Sequence, residues 1–394
     1  MTFNCRPSSP LARWWRQQIP EISRNRTGKR VVALRRTSPK SMRRLYTDTS
    51  MIKARDIAYQ ALDAMGANRL AFRAKSRLRI LCYHGAWLTK RAHFGDKLFI
   101  GVDTFRSRLE QIARLRCNVI PLTEAMQALS EGTLPKKAIV ITIDDGWAST
   151  FDFMLPELEK HAFPATVYLQ TEKLLSESPV HDVAIAYALQ NSPVTKLELP
   201  AFIRQQLRDP NCDKPAHELA DERARASLAE SLVDLMDNSP PESRNSLLEA
   251  LFEILQTDPG ILADRQFHLA SPREVQIAAS AGFEMALHTH THSLGDFSPA
   301  RVAAEIDANR SALSSITGQS KDSFRNFCWP SGDYTITACE SLRTLGVDSA
   351  TTCEYGLMSP STNPMLIPRI LDGERTSSAA FKASLSGAKE WFIS

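Results

Sequence analysis

Residues 138–143 read AIVITI, six consecutive side chains that are all apolar or β-branched. Such a run has strand length and no polar alternation, so it reads as a strand buried inside a larger structure. LRILCY (78–83), PATVYLQ (164–170), FEMAL (283–287), RNFCW (325–329), DSATT (348–352) and LIPRI (366–370) are further strand-length runs. Between them lie segments with helical periodicity, such as DTFRSRLEQIARLRC (103–117), FMLPELEKHAF (153–163) and PARVAAEIDANRSALSSITG (299–318). A helix near 335–345 and another over 377–391 complete the pattern. Strand and helix in alternation point to an α/β domain with a parallel sheet or barrel. SPREVQIAASAG (271–282) opens with Ser271 and places Glu274 three residues on, the pattern of a capping box.

Two stretches break this rhythm. Residues 172 to about 268 are rich in Leu, Ala, Glu and Arg with few strand signals, and read as a helical insertion. Residues 1–50 carry 12 Lys and Arg against Glu21 and Asp48, so the net charge of +4 comes from this tail and the rest is mildly acidic. The expected organisation is therefore a basic, disordered tail (1–50), an N-terminal helical segment (51–76) and a main domain (77–394) containing the insertion. The tail lacks the apolar core of a secretory signal. It reads as an arm making weak contact with an anionic surface, as a transit-like segment, or as residues upstream of a start at Met42 or Met51. The acidic body argues against nucleic acid as a partner. No apolar run has membrane-spanning length, so no transmembrane segment is expected. Seven scattered cysteines without a CxxC pair suggest a reducing compartment, and the expected localisation is cytoplasmic.

Two clusters carry chemistry. HTHTH places His288, His290 and His292 at alternate positions. On a strand, neighbours two apart could share one metal. On a helical turn, His288 and His292 would converge and His290 would point away. The residues alone permit either pair. IDDGW places Asp144 and Asp145 after the buried strand and before Gly146. The C-terminal end of a strand is where parallel α/β folds carry their chemistry. A turn at Gly146 would let both acids face that end, one to bind a metal and the other to act as a base. A plain helix cap is the structural alternative.

IDDGW and HTHTH, with CYHGAW (82–87) upstream and CWPSGDY (328–334) downstream, resemble the motifs of the polysaccharide deacetylase family (carbohydrate esterase family 4, the NodB-homology domain). Order and spacing match over roughly 77–372, allowing for the insertion. The resemblance implies a distorted (β/α) barrel and a metal-dependent hydrolase that removes N-acetyl groups from an N-acetylated saccharide. It implies Asp145, His288 and His292 as ligands of a divalent metal, with zinc suited to that set. It implies Asp144 as the general base toward metal-bound water, and puts His290 on a variable position.

The sequence departs from the family pattern in two places. Cys328 stands where the family's Arg would orient Asp144, and Arg369 in LIPRI is the candidate substitute from another strand. The late histidine of the family, its general acid, has no counterpart in LIPRI, which leaves His84 as a candidate acid or substrate contact. Trp147 and Trp329 beside the motifs are candidates for stacking on a sugar ring, or for packing as large apolar residues. The competing readings are a hydrolase of a non-sugar amide, an H-x-H amidohydrolase using His288 and His290, and a catalytically weak carbohydrate-binding protein.

Overall fold

A computed structural model describes residues 49–66, 68, 71–72, 77–88, 99–200, 203, 217–219 and 222–392. Residues 1–48 of the basic tail lie outside the described residues. Seven strands form a closed parallel ring: β1 (Arg79–Tyr83), β2 (Ala138–Ile143), β3 (Thr166–Leu169), β4 (Glu284–Leu287), β5 (Asn326–Cys328), β6 (Ser349–Tyr355) and β7 (Ile367–Leu371). Each pairs with the next in the chain, and β7 and β2 both pair with β1, so the ring closes where Leu81 meets Ile141 on one side and Ile370 on the other. A short strand at Asn118–Val119 adds to the outside of β2. The strand-length runs read from sequence fall on these seven strands, with ends shifted by at most three residues.

Alternation along the strands separates two cores. Ile80, Val140, Tyr168, Ala286, Cys328 and Ile367 cluster within the ring. Leu122, Ala125, Met126 and Leu129 of helix α1 (Leu122–Glu131) join that cluster from the N-terminal end of the strands, so the helix closes the floor. Leu81, Ile139, Ile141, Val167, Leu287, Phe327 and Ile370 belong to the outer core beneath the surrounding helices. Every residue of β1 and β2 is buried for this reason. Among the described residues, the interior is thus covered at the N-terminal ends of the strands and faces outward at their C-terminal ends.

A helix at Val102–Arg114 precedes α1 in the β1–β2 connection, and four further helices alternate with the later strands. After β2 the chain makes a π turn at Thr150–Met154 before α2 (Leu155–Lys160). α3 (Pro272–Ser280) has both hydrogen bonds of the Ser271–Glu274 capping box. α4 (Pro299–Thr317) follows β4, and α5 (Ile336–Thr344) follows β5. Between β3 and α3 the described residues are mainly helical, with helices at His181–Asn191, Glu222–Asn238 and Pro241–Ile254 and one two-residue antiparallel strand pair. Arg225 donates to the carbonyl oxygens of Leu189, Ser192, Val194 and Leu219, gathering loose chain ends of this insertion around one guanidinium. The N-terminal helix Thr49–Ala64 is held to the helix Ser378–Ser386 by Asp63–Lys382 and Asp56–Ser377 contacts. Among the described residues, no helix is long and apolar enough to cross a membrane.

Candidate metal and catalytic centre at the barrel mouth

Asp144 continues the inward parity of Val140 and Thr142, so its carboxylate sits at the top of the barrel interior. Asp145 would point outward on an ideal strand. Its backbone instead adopts φ 70°, followed by Gly146 at φ 86°, and this left-handed turn brings the second carboxylate round to the mouth. The turn thus begins one residue earlier than the sequence suggested, at Asp145 itself. Non-glycine residues enter this region at a cost of about 1–3 kcal/mol, and such strain concentrates at functional sites. A side chain at Gly146 would also meet Leu169 Cδ2 at 2.5 Å. Gly146→Ala is therefore expected to lower the melting temperature by several degrees and to displace the Asp145 carboxylate; thermal melting and the structure of the variant test this.

The histidine segment is neither of the conformations considered from sequence. β4 ends at Leu287, and the next residues turn with Thr289 at φ 64° and His292 at φ 59°. The turn sets His288 and His292 edge to face, with ring centroids 4.8 Å apart. His290 leaves the cluster and bonds Thr171 Oγ1 through Nδ1 at 2.8 Å. Asp145 Oδ1 lies 3.1 Å from His288 Nε2 and 3.2 Å from His292 Nε2.

These three side chains fit a divalent cation. Their donor atoms all lie within 4.8 Å of one another. His288 Nδ1 is 2.9 Å from the Cys328 carbonyl oxygen, an acceptor that keeps a proton on Nδ1 and holds the ring with Nε2 toward Asp145. Trp147 Nε1 donates to Asp145 Oδ2 at 3.0 Å, leaving Oδ1 to face the histidines. Burial opposes a charge on Asp145, but its hydrogen bonds with the two imidazoles hold it well below the usual carboxylate range. The His292 side chain is 31% exposed against 3% for His288, so solvent reaches the cluster from the His292 side.

Asp144 has different partners. Arg369 Nη1 and Nη2 donate to its two oxygens, each at 2.7 Å. The other Arg369 donors go to Thr142 Oγ1, the Thr352 carbonyl and Cys328 Sγ, so a fully buried guanidinium has all five of its hydrogens placed. Burial would raise Asp144, but the Arg369 charge and its paired hydrogen bonds bring it down to about 2. Cys82 Sγ and Cys328 Sγ lie 3.6 and 3.5 Å from Asp144 Oδ2. The space of a larger side chain at 328 is thus taken by a thiol and the Arg369 guanidinium beside it. His84 Nε2 is 3.8 Å from Asp144 Oδ2, and burial lowers its pKa.

The two tryptophans have no ring face open to a sugar. Trp147 is 3% exposed, packs edge-on against Phe99 and serves Asp145 through its N–H. Trp329 is fully buried, with Nε1 donating to the Met365 carbonyl oxygen. Of the two roles read for both from sequence, stacking and packing, the buried rings take packing here, and Trp147 also orients Asp145. What sequence reasoning missed was this N–H donor two residues after Asp145. Its signal was present, since a buried indole needs a hydrogen-bond acceptor.

The closed ring of parallel strands with surrounding helices is a (β/α) barrel of the NodB type. Residues 249–350, which carry the histidine motif and CWPSGDY, match the family model described as polysaccharide deacetylase. A deacetylase of Streptococcus pyogenes, solved in complex with acetate, is similar in structure with a TM-score of 0.51 at 15% identity, covering 79% of this chain and 99% of that one. A polysaccharide deacetylase from Bacillus cereus has a TM-score of 0.47 at 14% identity, covering 79% and 69% of the two chains. IcaB from Ammonifex degensii has a TM-score of 0.46 at 17% identity, covering 79% and 98%. No curated protein matches the chain. The resemblance to polysaccharide deacetylases seen in the motifs thus holds in sequence over 249–350 and in fold over most of the chain.

Proposed function

We propose that the chain is a metal-dependent hydrolase that removes N-acetyl groups from an N-acetylated saccharide. The observation that carries this reading is the convergence of Asp145 Oδ1, His288 Nε2 and His292 Nε2 beside an ionised, arginine-held Asp144 at an open barrel mouth. A divalent cation held by those three atoms supplies Lewis acidity, acidifying water and polarising a carbonyl oxygen. Two imidazoles and a carboxylate suit zinc, within a set that other divalent metals can also use.

The remaining work falls to side chains. Asp144 accepts the proton of the attacking water as its oxygen bonds to the amide carbon. A carboxylate held at about 2 stays ionised at working pH but is a poor final proton sink. His84, 3.8 Å away and disfavoured as a cation by burial, is placed to relay that proton to the departing nitrogen. The carbon–nitrogen bond then breaks, giving acetate and a free amine. Arg369 touches neither water nor substrate in this scheme; it fixes the charge and angle of Asp144. The described cysteines are all free, which supports work in a reducing compartment such as the cytoplasm.

The test is acetate release from a panel of N-acetylated oligosaccharides and of simple amides by zinc-loaded protein, with Asp144→Asn alongside. Release from the sugars with a loss of about 100-fold or more in the variant supports the proposal. Release only from non-sugar amides moves the reading to the alternative hydrolase. Metal uptake with no turnover on either panel leaves a binding protein.

A further inference from the structure

The histidine turn ends one strand, yet its backbone is satisfied by one helix. We propose that Glu305 and Asn309, one turn apart on α4, form a clamp that sets the geometry of the metal-binding histidines. Asn309 Oδ1 accepts the His288 N–H at 3.0 Å. Glu305 Oε2 accepts the N–H groups of His290 and Thr291 at 2.8 and 2.9 Å, and Oε1 accepts the Thr291 hydroxyl at 2.9 Å. Three backbone donors of the turn thus end on two side chains of α4. Both are buried, at 3% and 0% exposure, on the stripe that also buries Val302, Ile306 and Leu313. Arg301 pairs with Glu305 Oε1 at 2.8 Å and reaches Thr291 Oγ1, which orients the carboxylate.

The turn has a reason to need holding. Thr289 and His292 both occupy the left-handed region, which is uncommon for any non-glycine residue and an outlier for a β-branched threonine. Without acceptors for the three N–H groups, the turn can relax toward ordinary backbone, and His292 then swings away from His288. The clamp also reaches the insertion. Asn309 Nδ2 donates to the Leu169 carbonyl and to Thr171 Oγ1, each at 3.0 Å, and Thr171 meets His290. Where the insertion returns, Ala148 N donates to the His268 carbonyl and Ala270 N to the Gly146 carbonyl. Its two roots are therefore fastened to the two turns that carry the metal-binding side chains. Glu305 and Asn309 are positioning residues: they touch the turn, not the metal or substrate.

This inference rests on the proposed metal site, so its test separates the two. Amide hydrogen exchange at His288, His290 and Thr291 is measured in metal-free protein, and cobalt(II) affinity and its visible d–d band in the same samples. The parent is compared with Glu305→Ala, Asn309→Ala and Glu305→Gln. Both alanine variants are expected to exchange faster at these amides. They are also expected to bind cobalt about 10–100-fold more weakly, with an altered band. Glu305→Gln keeps an acceptor for the two N–H groups and is expected to restore most of both readouts. If an alanine variant does not fold, Glu305→Asp, one methylene shorter with its charge kept, takes its place. Parent-like exchange and cobalt affinity in every variant overturn the clamp alone. A parent with protected amides that takes up no cobalt overturns the metal reading, and with it the ligand-setting part of the clamp.

Discussion

Replacing Arg369 with methionine is expected to cost about 3–5 kcal/mol of stability, the usual penalty for leaving one half of a buried ion pair without its partner. Arg369 and Asp144 are 0% and 3% exposed at their side chains, so water cannot take over the lost contacts. The sign of the pH dependence separates this from a simple packing defect. In the parent, Asp144 sits at about 2, below its ordinary 3.8. The resulting stabilisation, about 2 kcal/mol, is present above pH 4 and fades as pH falls toward 2. In Arg369→Met, burial acts on Asp144 with only the smaller effects of His84 and His288 against it, and its pKa is expected to move above the ordinary value. The variant then loses stability as pH rises through that raised value, the reverse of the parent. Denaturant unfolding of chelator-treated protein across pH 2–8 reads both slopes directly. Arg369→Met with Asp144→Leu should recover most of the stability, because the pair is removed whole. The double variant should recover no activity. If Arg369→Met keeps parental stability and slope, Asp144 does not depend on Arg369 for its charge.

The seven strands were legible because each is a short run rich in apolar or β-branched residues, with AIVITI the plainest of them, and the ring order follows chain order, so no crossover had to be guessed. The pairing of Asp144 with Arg369 could be named as a candidate from sequence, but its bidentate geometry depends on β2 and β7 flanking β1, which only closure of the ring supplies. The backbone of the two turns was not legible. Asp145, Thr289 and His292 adopt left-handed conformations that non-glycine residues take only in a small minority of cases, and a β-branched threonine least of all, so local propensity predicts a strand or a helix there. Tertiary contacts override it. The clamp on α4 left a weak trace: Glu305 and Asn309 interrupt an otherwise apolar stripe, and buried polar side chains need partners. The identity of those partners, the backbone of a turn 14 to 21 residues earlier, is a product of packing. Trp329 shows the opposite limit, since nearness in sequence to a motif says nothing about which way a large ring faces.

His292→Ala and His288→Ala are expected to lose bound metal, while His290→Ala keeps it. Each of the first two removes one of three donor atoms that converge within 4.8 Å. What remains is one imidazole and one carboxylate, too few to exclude competing water. A catalytic metal contributes several kcal/mol of transition-state stabilisation, and each 1.36 kcal/mol is a factor of ten in rate. Acetate release should therefore fall about 1000-fold or more in both variants, without recovery at raised zinc. His290→Ala loses the bond to Thr171 Oγ1, but Glu305 still accepts the backbone N–H at residue 290. Its metal content should match the parent and its rate should fall less than about tenfold, a cost of loosening the root of the insertion rather than the centre. Metal analysis and acetate release on the three variants decide the register of the site. Loss of metal in His290→Ala with retention in His292→Ala would mean that the turn holds its ligands at alternate positions, and the distance between Asp145 and His292 would then have no catalytic meaning.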